Sequence, residues 1–156
     1  MGSEARLAEL IERGGVYRDV RGASPREVLT SLIEALPPPA EAGKLLEAVL
    51  EREALMPTSI GKGIALPHPR NPLLKSEDEQ FAALAFLKQP VDWNSLDGEL
   101  VDTLLLIVSA SAKGHLRTLS EVTFFCHQED FYRLLKERAS LETLLRFIRE
   151  AEKNWK

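Results

Sequence analysis

Apolar positions along the 156-residue chain recur with two different periods, and the switches between them outline the fold. Near the start, Leu7, Leu10 and Ile11 stand at helical spacing, which predicts a short helix through about Arg13. Ser3 is placed to cap it and Gly14-Gly15 to stop it, and Val16 to Val20 then reads as a strand. Ser24-Pro25-Arg26-Glu27 is a complete helix start, with Ser24 as cap, Pro25 in the first helical position and Glu27 set for a capping box. Val28, Leu29, Leu32, Ile33 and Leu36 form the stripe that this helix buries, and Pro37-Pro38-Pro39 ends it because proline cannot continue the hydrogen-bond ladder. A second helix is expected from about Ala40 to Ala54, with Leu45, Leu46, Val49 and Leu50 on one face.

The middle of the chain changes period. Ile64-Ala65-Leu66 reads as a short buried strand, and Phe81–Leu87 and Thr103–Val108 are apolar runs of strand length. The second run is too apolar for a sheet edge. Between them Asp97-Gly98 signals a turn. From Gly114 onward the spacing is helical again, over Leu116 to about His127, Glu129 to Glu137 and Ser140 to about Lys153. No repeat or linker interrupts residues 1–156, so the expectation is one α/β domain of two or three layers around one mixed sheet.

Composition narrows the function classes. Net charge is −4 with pI about 5.5, and the two signs are interspersed. No Lys/Arg cluster is long enough to track a phosphate backbone, so no nucleic-acid partner is expected. A single cysteine, Cys126, rules out an internal disulfide and thiol-rich metal motifs. No apolar stretch approaches the roughly 18–20 residues of a membrane span, and the first residues lack an apolar signal core, which points to a cytoplasmic protein without membrane insertion. A G-x-S-x-G elbow is missing, and Ser59-Ile60-Gly61-Lys62-Gly63 has the wrong order of glycines for a phosphate loop.

What remains is histidine. His68 stands between Pro67 and Pro69, which fix its surroundings, after glycines at 61 and 63. His115 follows Gly114 at the start of a helix, just past the apolar strand, so both fall at element ends, where α/β folds place ligands. His127 lies late in a helix among acidic residues and reads as a surface group. The two candidate histidines share no metal-ligand spacing. An imidazole can itself be a nucleophile that accepts a phosphoryl group, given positive charge, hydroxyls and backbone N–H groups nearby. Arg52, Thr58 and Ser59 precede His68 and supply those residue types.

The span Glu53 to His68 resembles the phosphorylation-site signature of the type 2 enzyme IIA domains of the bacterial phosphotransferase system, the fructose/mannitol and nitrogen-regulatory class. Glu53, Ile60, Gly61, Ile64, Ala65, Leu66, Pro67 and His68 all fit the pattern, whereas Pro69 stands where the family usually has Gly, Ala or Cys. The segment from Val91 to Ala110 and the segment around His115 are similar to later parts of the same family. The resemblance implies a three-layer α/β/α domain with a small mixed sheet and the site at one end of it. It further implies a phosphotransferase in which His68 accepts a phosphoryl group from an HPr-type phosphohistidine carrier, with His115 and Arg52 beside it and Thr58 or Ser59 as hydroxyl donors. No metal or organic cofactor is implied. A free-standing nitrogen-type regulatory role is expected over a sugar-transport component that passes phosphate to a IIB domain, with a non-catalytic interaction module as the remaining alternative. Lys62 and Arg70 are expected to flank the site and favour an acidic partner edge.

Overall fold

Five strands form one mixed sheet in the spatial order β1 (Val16–Val20), β4 (Phe81–Val91), β5 (Val101–Val108), β3 (Ile64–Ala65) and β2 (Ser59–Gly61). These belong to a computed structural model that describes residues 6–37 and 41–154; Ser3, Pro38, Pro39 and Ala40 of the sequence expectations lie outside the described residues. β1 runs parallel to β4, β4 antiparallel to β5, β5 parallel to β3, and β3 antiparallel to β2.

β4 and β5 are buried on both faces, and that is why they read as near-continuous apolar runs. Their side chains alternate between two cores. Ala82, Leu84, Phe86, Leu105 and Ile107 pack with α1 (Leu7–Gly14), α4 (Ala112–Cys126), α5 (Glu129–Lys136) and α6 (Leu141–Glu152). Ala83, Ala85, Leu87, Leu104, Leu106 and Val108 face the other way, onto α2 (Pro25–Ala35) and α3 (Ala42–Leu55). Helices on both sides of the sheet make the three-layer α/β/α arrangement. Each large aliphatic or aromatic side chain so buried contributes about 1.5–3 kcal/mol.

The structure corrects several element limits. β2 has no counterpart in the sequence expectations. β4 runs on to Val91, with a register shift between Phe86 and Val91 that accommodates exposed Pro90, which has no N–H to give the ladder. Ser24 caps α2 as expected, accepting from the Glu27 amide at 3.2 Å, but the Glu27 carboxylate takes the Ala23 N–H and not that of Ser24. α4 starts at Ala112 and not Leu116, because Ser111 Oγ accepts the Gly114 amide at 3.0 Å. His115 therefore lies in the first turn of a fifteen-residue helix.

Candidate active site

The site is built on a hairpin and a helix start. Lys62 and Gly63 connect β2 to β3 with φ of +58° and +83°, the positive angles that a two-residue type I′ connection needs. The tip is pinned from outside, since Asp97 accepts the Lys62 amide at 2.9 Å and the Tyr132 hydroxyl donates to the Lys62 carbonyl at 3.0 Å. β3 then pairs with β5, and the ladder continues past its end, where the Ile107 amide donates to the Pro67 carbonyl at 3.0 Å. Pro67 and Pro69 are buried and hold half-buried His68 between them, at the carboxyl ends of two parallel strands.

α4 brings the second imidazole. Gln80 is buried and its amide oxygen accepts the Ala110 N–H at 2.9 Å, which ties down the connection between β5 and α4. A Cβ at Gly114 would lie 2.6 Å from that same oxygen, so any larger residue would have to push the Gln80 amide aside. The result sets the His68 and His115 rings at 4.5 Å between centroids, tilted by 45°. The helix start adds partial positive charge from its free amides, suited to an anion.

His68 Nδ1 lies 2.8 Å from the Leu66 carbonyl oxygen. A carbonyl only accepts, so Nδ1 carries the proton and, in the neutral ring, the free lone pair is on Nε2. Burial pushes the His68 pKa below the ordinary imidazole value; the Leu66 bond opposes this, Arg52 adds to it and Glu53 opposes it. His115 is lowered as well, by burial first and then by the charges of His68 and Arg52. Both rings thus favour the neutral form more than a free imidazole does. Arg52, in the last turn of α3, donates from Nη1 to the Met56 carbonyl at 2.6 Å, which anchors its charge where both histidines feel it.

Thr58 is buried, and its hydroxyl and amide both donate to Glu53, the amide at 2.9 Å. Ser59 opens β2 opposite Ala65 and is half-buried. Lys62 does not flank the site: the hairpin tip meets β5 at Asp102 and Thr103, whereas His68 follows the other end of that pairing. Lys62 lies instead over the Tyr132 ring, 5.4 Å from its centroid. Arg70 is exposed and paired with Glu51 at 3.6 Å. Sequence reasoning missed Trp93, whose indole N–H donates to Glu53 at 3.1 Å; a tryptophan inside a turn-rich stretch was the available signal. Exposed Leu55, Met56, Leu73 and Leu116 belong to the segments that carry the site. Cys126 is buried with its thiol pushed up to about 12, and among the described residues no three or more His, Cys, Asp or Glu are grouped so that they could hold a metal ion.

Fold and relatives agree on the class: this is a phosphoryl carrier of the phosphotransferase system. Residues 9–151 match the family "Phosphoenolpyruvate-dependent sugar phosphotransferase system, EIIA 2", and the chain belongs to that family. It is 30% identical over 148 residues to a nitrogen regulatory protein of Pseudomonas aeruginosa, covering 92% of this chain and 94% of the relative. The fold matches that of nitrogen regulatory protein IIA-Ntr from Neisseria meningitidis with a TM-score of 0.75 at 22% identity, over 90% of this chain and 97% of that one. It also matches a chain in the complex of enzyme IIAMTL and phosphorylated enzyme IIBMTL from Escherichia coli, with a TM-score of 0.63 at 17% identity, over 86% and 94% of the two chains.

Proposed function

We propose that His68 is the phosphoryl acceptor, charged by an HPr-type phosphohistidine carrier, in a single-domain cytoplasmic regulatory protein of the nitrogen type. The bond from His68 Nδ1 to the Leu66 carbonyl carries the reading, because it leaves Nε2 as a fixed, neutral nucleophile. Its lone pair attacks phosphorus in line as the P–N bond to the donor breaks, and the donor imidazole leaves with that electron pair. Charge spread over the transferring oxygens meets the Arg52 guanidinium, a His115 N–H and the start of α4. The Thr58 proton is committed to Glu53, so Ser59 is the hydroxyl left to donate.

Likeness to a nitrogen regulatory protein along nearly its full length supports the regulatory role over transfer to a sugar-specific IIB domain. Among the described residues no helix is long and apolar enough to cross a membrane, which fits the cytoplasmic placement. Incubation with phosphorylated carrier should raise the intact mass by one acid-labile phosphoryl group; an unchanged mass would refute the reading.

Pro69 gives a further expectation. It removes a backbone N–H beside the acceptor that a small residue would offer. Pro69→Gly should hold the phosphoryl group at least as well as the parent protein, because a donor returns, with a stability loss of about 1 kcal/mol or somewhat more from the freer unfolded chain and the lost buried ring. Transfer rate and thermal midpoint check this. A large fall in transfer with the fold unchanged would show that the rigid Pro-His-Pro frame outweighs the missing donor.

A further inference from the structure

Beneath the nucleophile lies a hydrogen-bond chain that the transfer chemistry above does not use. Glu53 follows Arg52 on the last turn of α3 and accepts three donors: the Thr58 amide, the Thr58 hydroxyl and the Trp93 indole N–H. Thr58 in turn accepts the Leu66 amide on its carbonyl at 3.0 Å, and Leu66 accepts His68 Nδ1 on its own. Trp93 is almost fully buried, reaching Glu53 from the segment after β4. A continuous path therefore joins a buried indole to the nucleophilic ring through one carboxylate and one hairpin.

We propose that Glu53, held by Trp93 and Thr58, is a positioning residue for His68: it fixes the strand end whose Leu66 carbonyl selects the Nδ1–H tautomer, and Trp93 tempers the negative charge that Glu53 presents to the ring. The proposal rests on His68 being the acceptor. Two features favour a tuned hub over a plain structural contact. Two of the donors come from Thr58 alone, so the carboxylate clamps one point of the hairpin and does not spread over a surface. Arg52 and Glu53 are also neighbours with opposite effects on His68, one lowering its proton affinity and the other raising it. The charged and titratable groups acting on the ring are thus Arg52 and Glu53 from α3, with His115 facing it from α4. A carboxylate that loses an N–H donor keeps more of its charge for its other neighbours.

The test compares the whole protein with Trp93→Phe, which removes the indole N–H and keeps a buried ring, and with Glu53→Gln, which keeps the shape and removes the charge. The ring nitrogens of His68 are followed by NMR through a pH titration without phosphate, and transfer from phosphorylated carrier is timed in parallel. Trp93→Phe should raise the His68 midpoint and Glu53→Gln should lower it; both should shift the tautomer balance away from Nδ1–H. Transfer should slow about tenfold in each, the scale for groups that orient a functional imidazole, with carrier affinity unchanged. Midpoints that move in opposite directions separate this role from simple loosening, which would move both variants alike. Folded variants with the parent tautomer balance, midpoint and rate would overturn the proposal. Should one variant fail to fold, the other decides. A parent protein that took no phosphate on His68 would defeat the acceptor assignment, while the titration of the unphosphorylated ring would still test the hub.

Discussion

His68→Ala is expected to abolish phosphate incorporation while the domain stays folded. The ring is half-buried and its one hydrogen bond among the described residues goes to the Leu66 carbonyl, so its loss removes little packing. The other two histidines are held elsewhere. His115 lies on the neighbouring helix with its ring tilted against His68, and His127 caps the far end of α4, bonded through Nδ1 to the Thr123 carbonyl. At twelve residues along the helix, His127 is roughly 18 Å from His115. Intact mass after incubation with phosphorylated carrier gives the answer, and undiminished labelling of the variant would remove His68 from its role. The parent protein should also show a defined pH dependence. Burial lowers the His68 pKa, so the ring stays neutral, and transfer stays at its plateau, down through the ordinary imidazole range near 6.5; transfer then falls as the ring protonates. The linked stability has the same sign. A histidine with a depressed folded pKa costs nothing above the unfolded value, and destabilises the fold as pH drops from that value towards the folded one. His68→Ala should therefore lose less stability than the parent over that acid interval.

Much of this was legible in the chain because the signals are local or periodic. α2 was announced by Ser24 and Pro25, and the central place of β5 by an apolar run with no polar face. That His68 and His115 both sit at element ends marked each as a candidate, but their meeting, 4.5 Å between ring centroids, was implied by the family resemblance and not by any local pattern. The hairpin was harder. β2 is three residues long with one exposed apolar position, Ile60, too short for any alternation to stand out. Lys62 looked close to the site by sequence number, yet the extended backbone of β3 puts it at the opposite end of the β3–β5 pairing from His68. The Trp93–Glu53 bond joins side chains forty residues apart, and no periodicity encodes such a pair. Thr58 illustrates the limit most clearly: its hydroxyl was a candidate for phosphate, and its geometry gives that proton to Glu53.

Arg52→Ala and His115→Ala are expected to slow transfer without moving the label. Each supplies positive charge or an N–H to the oxygens of the transferring group, and removing one such positioned donor costs about 3–4 kcal/mol, a hundred- to thousandfold in rate. Neither provides the attacking atom, so the phosphoryl group should still appear on the peptide containing His68. Arg52 carries a second, separable effect. Its charge lowers the proton affinity of both imidazoles, so Arg52→Ala should shift the acid fall-off of transfer to higher pH, with the rings protonating earlier. Arg52→Lys keeps the charge and loses the planar fork of donors. It should restore the pH profile while recovering only part of the rate, since a single ammonium cannot hold the Met56 carbonyl and span two phosphoryl oxygens together. Single-turnover rates across pH, with peptide mapping of the label, measure all of this. Parent rates in both alanine variants would show that other groups arrange the charge around His68, and label on a peptide containing His115 would make that ring an acceptor.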